Sequence, residues 1–233
     1  MVKLGGLQKS TLIDFPGLVA ATVFLSGCNF RCPFCYSPEL VLPEKIKNHP
    51  EVSEKYFFEF LEERKGLLEG VVICGGEPTV QKGLPSFAKK IKDMGYSVKL
   101  DTNGSDPAML ERLIREKILD YVAMDIKAPR EKYSSVVGCD MDVSKIERSV
   151  DLLKTDVVDY EFRTTAVPGI LRKEDFISIG KWLSPAKAYF IQNFRPQKTL
   201  DPLFEKTPPC SDVFLQEIKE ALAPLFGVCE TRG

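Results

Sequence analysis

Histidine is almost missing from this chain. Its 233 residues include one, His49, in the polar stretch Lys47-Asn48-His49-Pro50. A Ser-His-Asp site, a multi-histidine zinc site and a di-iron centre all need imidazoles, so these chemistries are effectively excluded. His49 itself reads as a solvated loop residue. Charge bias is missing too: 32 basic and 33 acidic residues mix along the chain to a net charge of −1. Without a basic run or a basic–aromatic stripe there is no nucleic-acid groove. Long apolar runs are absent as well. Leu18–Leu25, broken by Thr22, is far too short for a bilayer, and Met-Val-Lys-Leu-Gly-Gly at the start has no apolar signal core. The expectation is a cytoplasmic protein with neither membrane nor nucleic acid as partner.

What the chain does have is cysteine. Seven is an odd number for a secreted disulfide scaffold, and three of them crowd together. Cys28, Cys32 and Cys35 lie in Gly-Cys-Asn-Phe-Arg-Cys-Pro-Phe-Cys-Tyr, residues 27–36, directly behind the apolar run. The spacing Cys-x3-Cys-x2-Cys supplies three soft ligands where zinc or a four-cysteine iron–sulfur site takes four. A cubane on three thiolates keeps one iron without a protein ligand, and an open position is what a reactive metal site needs. The alternative is a zinc knuckle with its fourth ligand elsewhere, for which Cys74 is a candidate. Cys139, Cys210 and Cys229 are isolated and offer no second cluster. A ferredoxin-like electron carrier would use four cysteines per cluster, which argues against a non-catalytic module.

From Leu18 onward the pattern alternates strand and helix. Candidate strands are Val19–Ser26, Val71–Cys74, Ser97–Asp101, Tyr121–Ile126, Tyr160–Val167 and Ala188–Asn193. They read as apolar on both faces, as parallel strands covered by helices do. Helical spacing appears in Ser53–Leu68, Leu84–Met94, the segment opened by Asp106-Pro107, Asp142–Lys154, Lys173–Leu183 and Ser211–Phe226. Six βα units predict an α/β fold, a partial TIM-like barrel of parallel strands. Residues 1–17 read as a turn-rich lead-in. Residues 1–198 are expected to form one core domain, with residues 199–233 as a helical appendage after Thr207-Pro208-Pro209.

Each unusual motif falls at the C-terminal end of a candidate strand, where α/β folds build sites. Gly75-Gly76-Glu77-Pro78 follows the second, and the double glycine lets backbone approach a ligand. Asp101-Thr102-Asn103-Gly104 ends the third and Asp125-Ile126-Lys127 the fourth, while Arg163 lies within the fifth. Lys127 and Arg163 are cations in apolar strands, costly unless paired. They serve either an internal salt bridge, with Asp125 or Glu161, or an anion.

With Phe34 in the aromatic place before the last cysteine, residues 28–35 resemble the cluster loop of the radical S-adenosylmethionine (SAM) enzymes. The resemblance extends from Leu7 to about Pro196. It implies a [4Fe–4S] cluster on Cys28, Cys32 and Cys35, with SAM cleaved reductively to a 5′-deoxyadenosyl radical. It also implies that Gly75 and Gly76 hold the SAM ammonium through backbone atoms, with Glu77 in support. Asp101 and Asn103 would meet ribose hydroxyls, and Lys127 and Arg163 the methionyl carboxylate. Asp101 and Asp125 would flank a monovalent cation. Residues 9–17, Lys-Ser-Thr-Leu-Ile-Asp-Phe-Pro-Gly, look like the lead-in of anaerobic ribonucleoside-triphosphate reductase activating proteins. That resemblance implies a glycyl radical protein as substrate and reduced flavodoxin or ferredoxin as electron donor. Pyruvate formate-lyase activases tend to carry a histidine on the last strand, where this chain has Gln192 and Phe194. A deazapurine-forming radical enzyme acting on a small molecule is the other alternative.

Overall fold

The computed structural model describes Met1–Gly233. In chain order the elements begin with β1 (Leu4–Thr11), β2 (Ala20–Leu25), α1 (Pro38–Val41), α2 (Pro43–Ile46) and α3 (Glu54–Glu63). Then come β3 (Gly70–Gly75), α4 (Leu84–Asp93), β4 (Ser97–Thr102), α5 (Pro107–Arg115), β5 (Tyr121–Asp125) and α6 (Tyr133–Val137). The chain ends with α7 (Val143–Lys154), β6 (Asp159–Ala166), α8 (Lys173–Leu183), β7 (Ala186–Asn193), α9 (Asp212–Leu222) and β8 (Phe226–Arg232). Helix starts follow capping chemistry. Ser53 Oγ accepts from the Tyr56 amide at 3.1 Å, and Asp106 Oδ1 from the Met109 amide at 3.0 Å with Pro107 as the first helical residue.

One eight-stranded sheet runs β1 to β8 in sequence order. β1 is antiparallel to β2, and every later pair is parallel. Helical crossovers between successive strands give that geometry and curl the sheet. β1 and β8 each have one strand neighbour, so the barrel is partial and open on one side. Asp14, just after β1, and Arg232 on β8 line the same cleft across that gap.

The six expected parallel strands are β2 to β7. The structure adds two strands that sequence reading left out, one at each edge. β1 reads as turn because Gly5 and Gly6 interrupt it, yet a Cβ at Gly5 would overlap Leu40 and the Ser26 hydroxyl. β8 follows α9 after Pro224 ends helical hydrogen bonding, and its only buried residue is Cys229. Thus the expected last helix, through Phe226, stops at Leu222, and the C-terminal stretch read as helical supplies a strand as well. The candidate helix Ser53–Leu68 ends at Glu63, ahead of Gly66 at φ +79°. His49 is half-buried rather than solvated, with Nε2 2.7 Å from the Gly5 carbonyl oxygen.

The strands are not apolar on both faces. Outward residues such as Val71, Ile73, Val98, Leu100, Val122 and Phe162 pack with the helices in a core of 52 buried residues. Inward residues are mostly charged or polar: Lys99, Asp101, Glu161, Arg163, Thr165 and Gln192 line the interior. A small plug of Phe15, Ala20 and Val72 closes the end away from the site. The outer core carries the stability. Fully buried Phe57 packs edge-on to Phe58 and tilted against Phe87, with ring centroids 5.3 Å away in both cases. Phe57→Ala should therefore cost about 3–5 kcal/mol, seen as a lower urea midpoint at unchanged m-value.

Candidate active site

The cysteine loop leaves β2 and is held from three sides. Arg31 donates from Nη1 to the Cys28 and Phe30 carbonyls at 2.8 and 2.7 Å, and its amide donates to the Val137 carbonyl at 2.8 Å. Phe30 and Phe34 are buried beneath the loop, Phe30 against Tyr133 with ring centroids 6.4 Å apart. From above, the Leu200 and Asp201 amides donate to the Cys35 and Pro33 carbonyls, both at 2.9 Å. Tyr36 stacks on Phe194 at 5.7 Å and accepts from the Arg195 amide at 2.8 Å.

The Gly-Gly-Glu-Pro turn closes the next side. Gly75 has φ +117°, and a Cβ there would overlap the Leu25 backbone. The Gly76 amide donates to the Leu25 carbonyl at 2.8 Å and the Glu77 amide to the Gly27 carbonyl at 2.7 Å. Both glycines are required by close backbone approach. Glu77 is buried and braces the turn to the end of β4. Its Oε1 accepts from the Thr79 amide at 3.0 Å and the Thr102 hydroxyl at 2.7 Å, and its Oε2 from the Asn103 amide at 2.6 Å. Burial pushes the Glu77 carboxyl up, and these donors act against the rise.

Between these loops lies a cavity of about 390 Å³ whose walls include Cys28, Cys32, Cys35, Phe34, Cys74, Gly75, Gly76, Glu77, Asp101, Asn103, Asp125, Lys127 and Arg163. Every expected site residue thus reaches one chamber. Arg163 forks across it, with Nε 2.8 Å from Asp125 Oδ1 and Nη1 2.9 Å from Asp101 Oδ2. Lys127 Nζ donates to Asp125 Oδ2 at 2.9 Å. The internal salt bridge and the cavity-facing cation are therefore one arrangement. The guanidinium lies between Asp101 and Asp125, the pair that the resemblance expects to flank a monovalent cation. Asn103 is oriented by its neighbours: its Nδ2 donates to Asn29 Oδ1 at 3.1 Å and its Oδ1 accepts from the Ser105 amide at 2.9 Å.

Burial pushes the Cys28 and Cys32 thiols up to about 12, while Lys127 works against the rise at Cys32. Thiolates here need a positive partner, and coordinating metal ions deprotonate thiols outright. No three His, Cys, Asp or Glu side chains stand close enough to share one metal ion. A cubane asks for something different, since each thiolate meets a different iron. Three facing thiols beside a lysine, with no fourth ligand from the same loop, fit that group.

Sequence reading missed Asn29, Tyr36, Thr102 and buried Lys99, whose Nζ lies 2.5 Å from Asp101 Oδ1. The available signal was alternation: Lys99 and Asp101, then Glu161, Arg163 and Thr165, recur every second residue on one strand face.

Residues 22–179 match the Radical SAM superfamily. The chain belongs to that superfamily. Within it, a Methanocaldococcus jannaschii protein provisionally named a glycyl-radical enzyme activating enzyme is 36% identical over 222 residues, 92% of this chain and 89% of that protein. This places the chain among the radical SAM activating enzymes of glycyl radical proteins. The 7-carboxy-7-deazaguanine synthase of Aquifex aeolicus is similar over a shorter stretch, 34% over 91 residues and 38% of each chain. In fold, the crystal structure of a domain of pyruvate-formate lyase-activating enzyme from Bacteroides vulgatus aligns with a TM-score of 0.56 at 17% identity, covering 70% of this chain and 98% of that one. The superfamily brings SAM and a [4Fe–4S] cluster as cofactors. No helix of this radical SAM enzyme is long and apolar enough to cross a membrane.

Two outcomes follow for the radical SAM site. After anaerobic reconstitution, Cys28→Ser, Cys32→Ser or Cys35→Ser should each lose bound iron, and Cys74→Ser should retain the parent amount, as measured by iron assay. Asp125 supplies the second. Burial would lift its carboxyl, but Arg163 and Lys127 outweigh this and hold it below the usual carboxylate range. A folded value below the unfolded one means ionised Asp125 adds stability at neutral pH, lost as acid protonates it. Asp125→Asn should therefore flatten the acid limb of stability between about pH 5 and pH 2, measured by urea unfolding.

Proposed function

We propose that this activating enzyme generates a glycyl radical on an anaerobic ribonucleoside-triphosphate reductase, drawing its electron from reduced flavodoxin or ferredoxin. The observation that carries the reading is the gap between β1 and β8. There the inner cavity continues into a cleft of about 730 Å³, through shared walls at Asp14, Tyr36, Asp101, Arg163, Thr165 and Gln192. A wide polar opening suits a polypeptide loop, whereas radical chemistry on a small metabolite asks for a covered, water-excluding chamber. The lead-in Lys9–Gly17 resemblance supports the reductase as partner.

When bound, the cluster and SAM would supply the one-electron chemistry for taking a hydrogen atom from a glycine Cα. The chain's own residues orient and shield. Cys28, Cys32 and Cys35 would hold the cluster. Phe34 packs the loop from below. The Gly75 and Gly76 backbone would meet the SAM ammonium, with Glu77 bracing that turn from behind. Asp101 and Asn103 would meet the ribose, and Lys127 and Arg163 the carboxylate. Because the two cations are already set by Asp125 and Asp101, little side-chain entropy remains to be lost when SAM binds.

Losing one charge-assisted contact through Lys127→Ala or Arg163→Ala should cost about 1.5–3 kcal/mol, roughly ten- to a hundred-fold in SAM affinity. Titrating SAM into the reconstituted variants measures this, and parent affinity in both returns the two cations to a purely structural role. For the partner, the reduced enzyme with SAM and an anaerobic ribonucleotide reductase should give a stable glycyl radical signal in electron paramagnetic resonance. Replacing the partner's radical-bearing glycine with alanine should remove it. No signal with that reductase, but one with another glycyl radical protein, reassigns the partner. Turnover of a purine-like metabolite instead moves the enzyme to the deazapurine chemistry.

A further inference from the structure

Behind Arg163, deeper in the half-barrel, stands a carboxylate that SAM chemistry does not explain. Glu161 precedes Arg163 by two residues on β6 and shares its inward face, with 1% of its side chain exposed. Its Oε1 is 3.9 Å from Arg163 Nη1, the same nitrogen that donates to Asp101. Glu161 is therefore a built-in competitor for the cavity's central cation. A buried carboxylate takes the nearest available positive charge, because leaving it unpaired is strongly unfavourable.

What satisfies Glu161 comes from the other end of the chain. Arg232, the next-to-last residue, sits on β8 in register with Gln192 of β7. Its Nη1 and Nη2 donate to the two carboxylate oxygens of Glu161 at 2.8 and 2.9 Å, a bidentate fork. The Tyr121 hydroxyl adds a third donor at 3.1 Å. The Arg232 guanidinium is fixed in turn by stacking over the Phe190 ring, 3.3 Å from its centroid. The pair is one-sided in exposure: Arg232 is 39% exposed at the cleft, while Glu161 is enclosed.

We infer that Arg232 is a positioning residue for Arg163: by occupying Glu161 it leaves the Arg163 guanidinium to Asp101 and Asp125, aimed at the cofactor cavity. Without Arg232, Glu161 keeps a single neutral donor and pulls Arg163 Nη1 from Asp101, drawing the guanidinium inward. Asp101 retains Lys99, so the exchange costs the Asp101 side little. The C-terminal strand thereby conditions a residue three strands into the sheet without touching the cofactor chamber itself. This rests on the reading of Arg163 as a SAM contact, and the test separates the two.

The experiment is a charge-rescue cycle on the full chain, using Arg232→Gln, Glu161→Gln and the double variant. In the reconstituted enzyme, R232Q is expected to weaken SAM binding about ten-fold, E161Q to leave it within about two-fold, and the double variant to return to within about two-fold of the parent. A role for Arg232 in merely docking β8 predicts that E161Q rescues nothing. A double variant as weak as R232Q overturns the inference, as does an R232Q that changes neither SAM affinity nor the Arg163 side-chain NMR signal. Independently of SAM and cluster, side-chain nitrogen NMR of the iron-free protein reads the Arg163 Nε–H signal. It should shift in R232Q and return in the double variant. If that signal moves and recovers while SAM affinity never changes, the positioning holds and the SAM role of Arg163 fails. If it does not move, the positioning fails. Should R232Q not fold, Arg232→Lys, which keeps charge but loses the fork, serves in its place. About a three-fold weakening relieved by E161Q is then expected, and absence of relief overturns the inference.

Discussion

A guanidinium between two carboxylates is the constraint around which this half-barrel is arranged. Arg163 reaches Asp101 and Asp125 from three different strands, at 2.9 and 2.8 Å. Charges so poorly solvated are tolerated only when partnered with good geometry. The partners must therefore be held in register, and the parallel ladder from β4 to β6 supplies it, with Asp125 directly opposite Arg163. Sheet register is what keeps the chamber's electrostatics in order, and the apolar outer core is what keeps the register.

The two faces of the sheet divide the labour. Helices bury the outward side chains and provide cohesion, while the inward face carries polar groups that a filled barrel would not tolerate. An eight-stranded closed barrel packs its interior with branched apolar layers. Here the apolar interior is reduced to Phe15, Ala20 and Val72, and the space above is given to ion pairs. Openness and charge belong together, since water entering from the cleft screens the rim while the strand ends stay enclosed.

Much of the chemistry was legible because it is local in sequence. The three cysteines, the Gly-Gly-Glu-Pro turn and the Asp-Ile-Lys run each fall within ten residues, and each sits where a strand ends. The middle strands were legible as short runs rich in Val, Ile, Phe and Tyr, although their inward polar face was read as apolar. The edges were not. β1 holds two glycines and an exposed Gln8-Lys9-Ser10 run, and β8 buries only Cys229, because an edge strand packs on few neighbours. Nor could the sequence tell that Glu161 belongs to Arg232, 71 residues away. That pairing depends on β8 joining the sheet, a long-range fact with no local signature.

The hydrogen bonds from Leu200 and Asp201 to the cysteine loop have a consequence for how the protein is made. Strand order follows chain order, so the sheet can assemble as it leaves the ribosome, N-terminal end first. The three thiols emerge well before the segment that fastens over them, which lies about 165 residues further along the chain. During that interval the loop lacks these two hydrogen bonds. The thiol-bearing loop is therefore the part of the site that waits longest for its outer fastening.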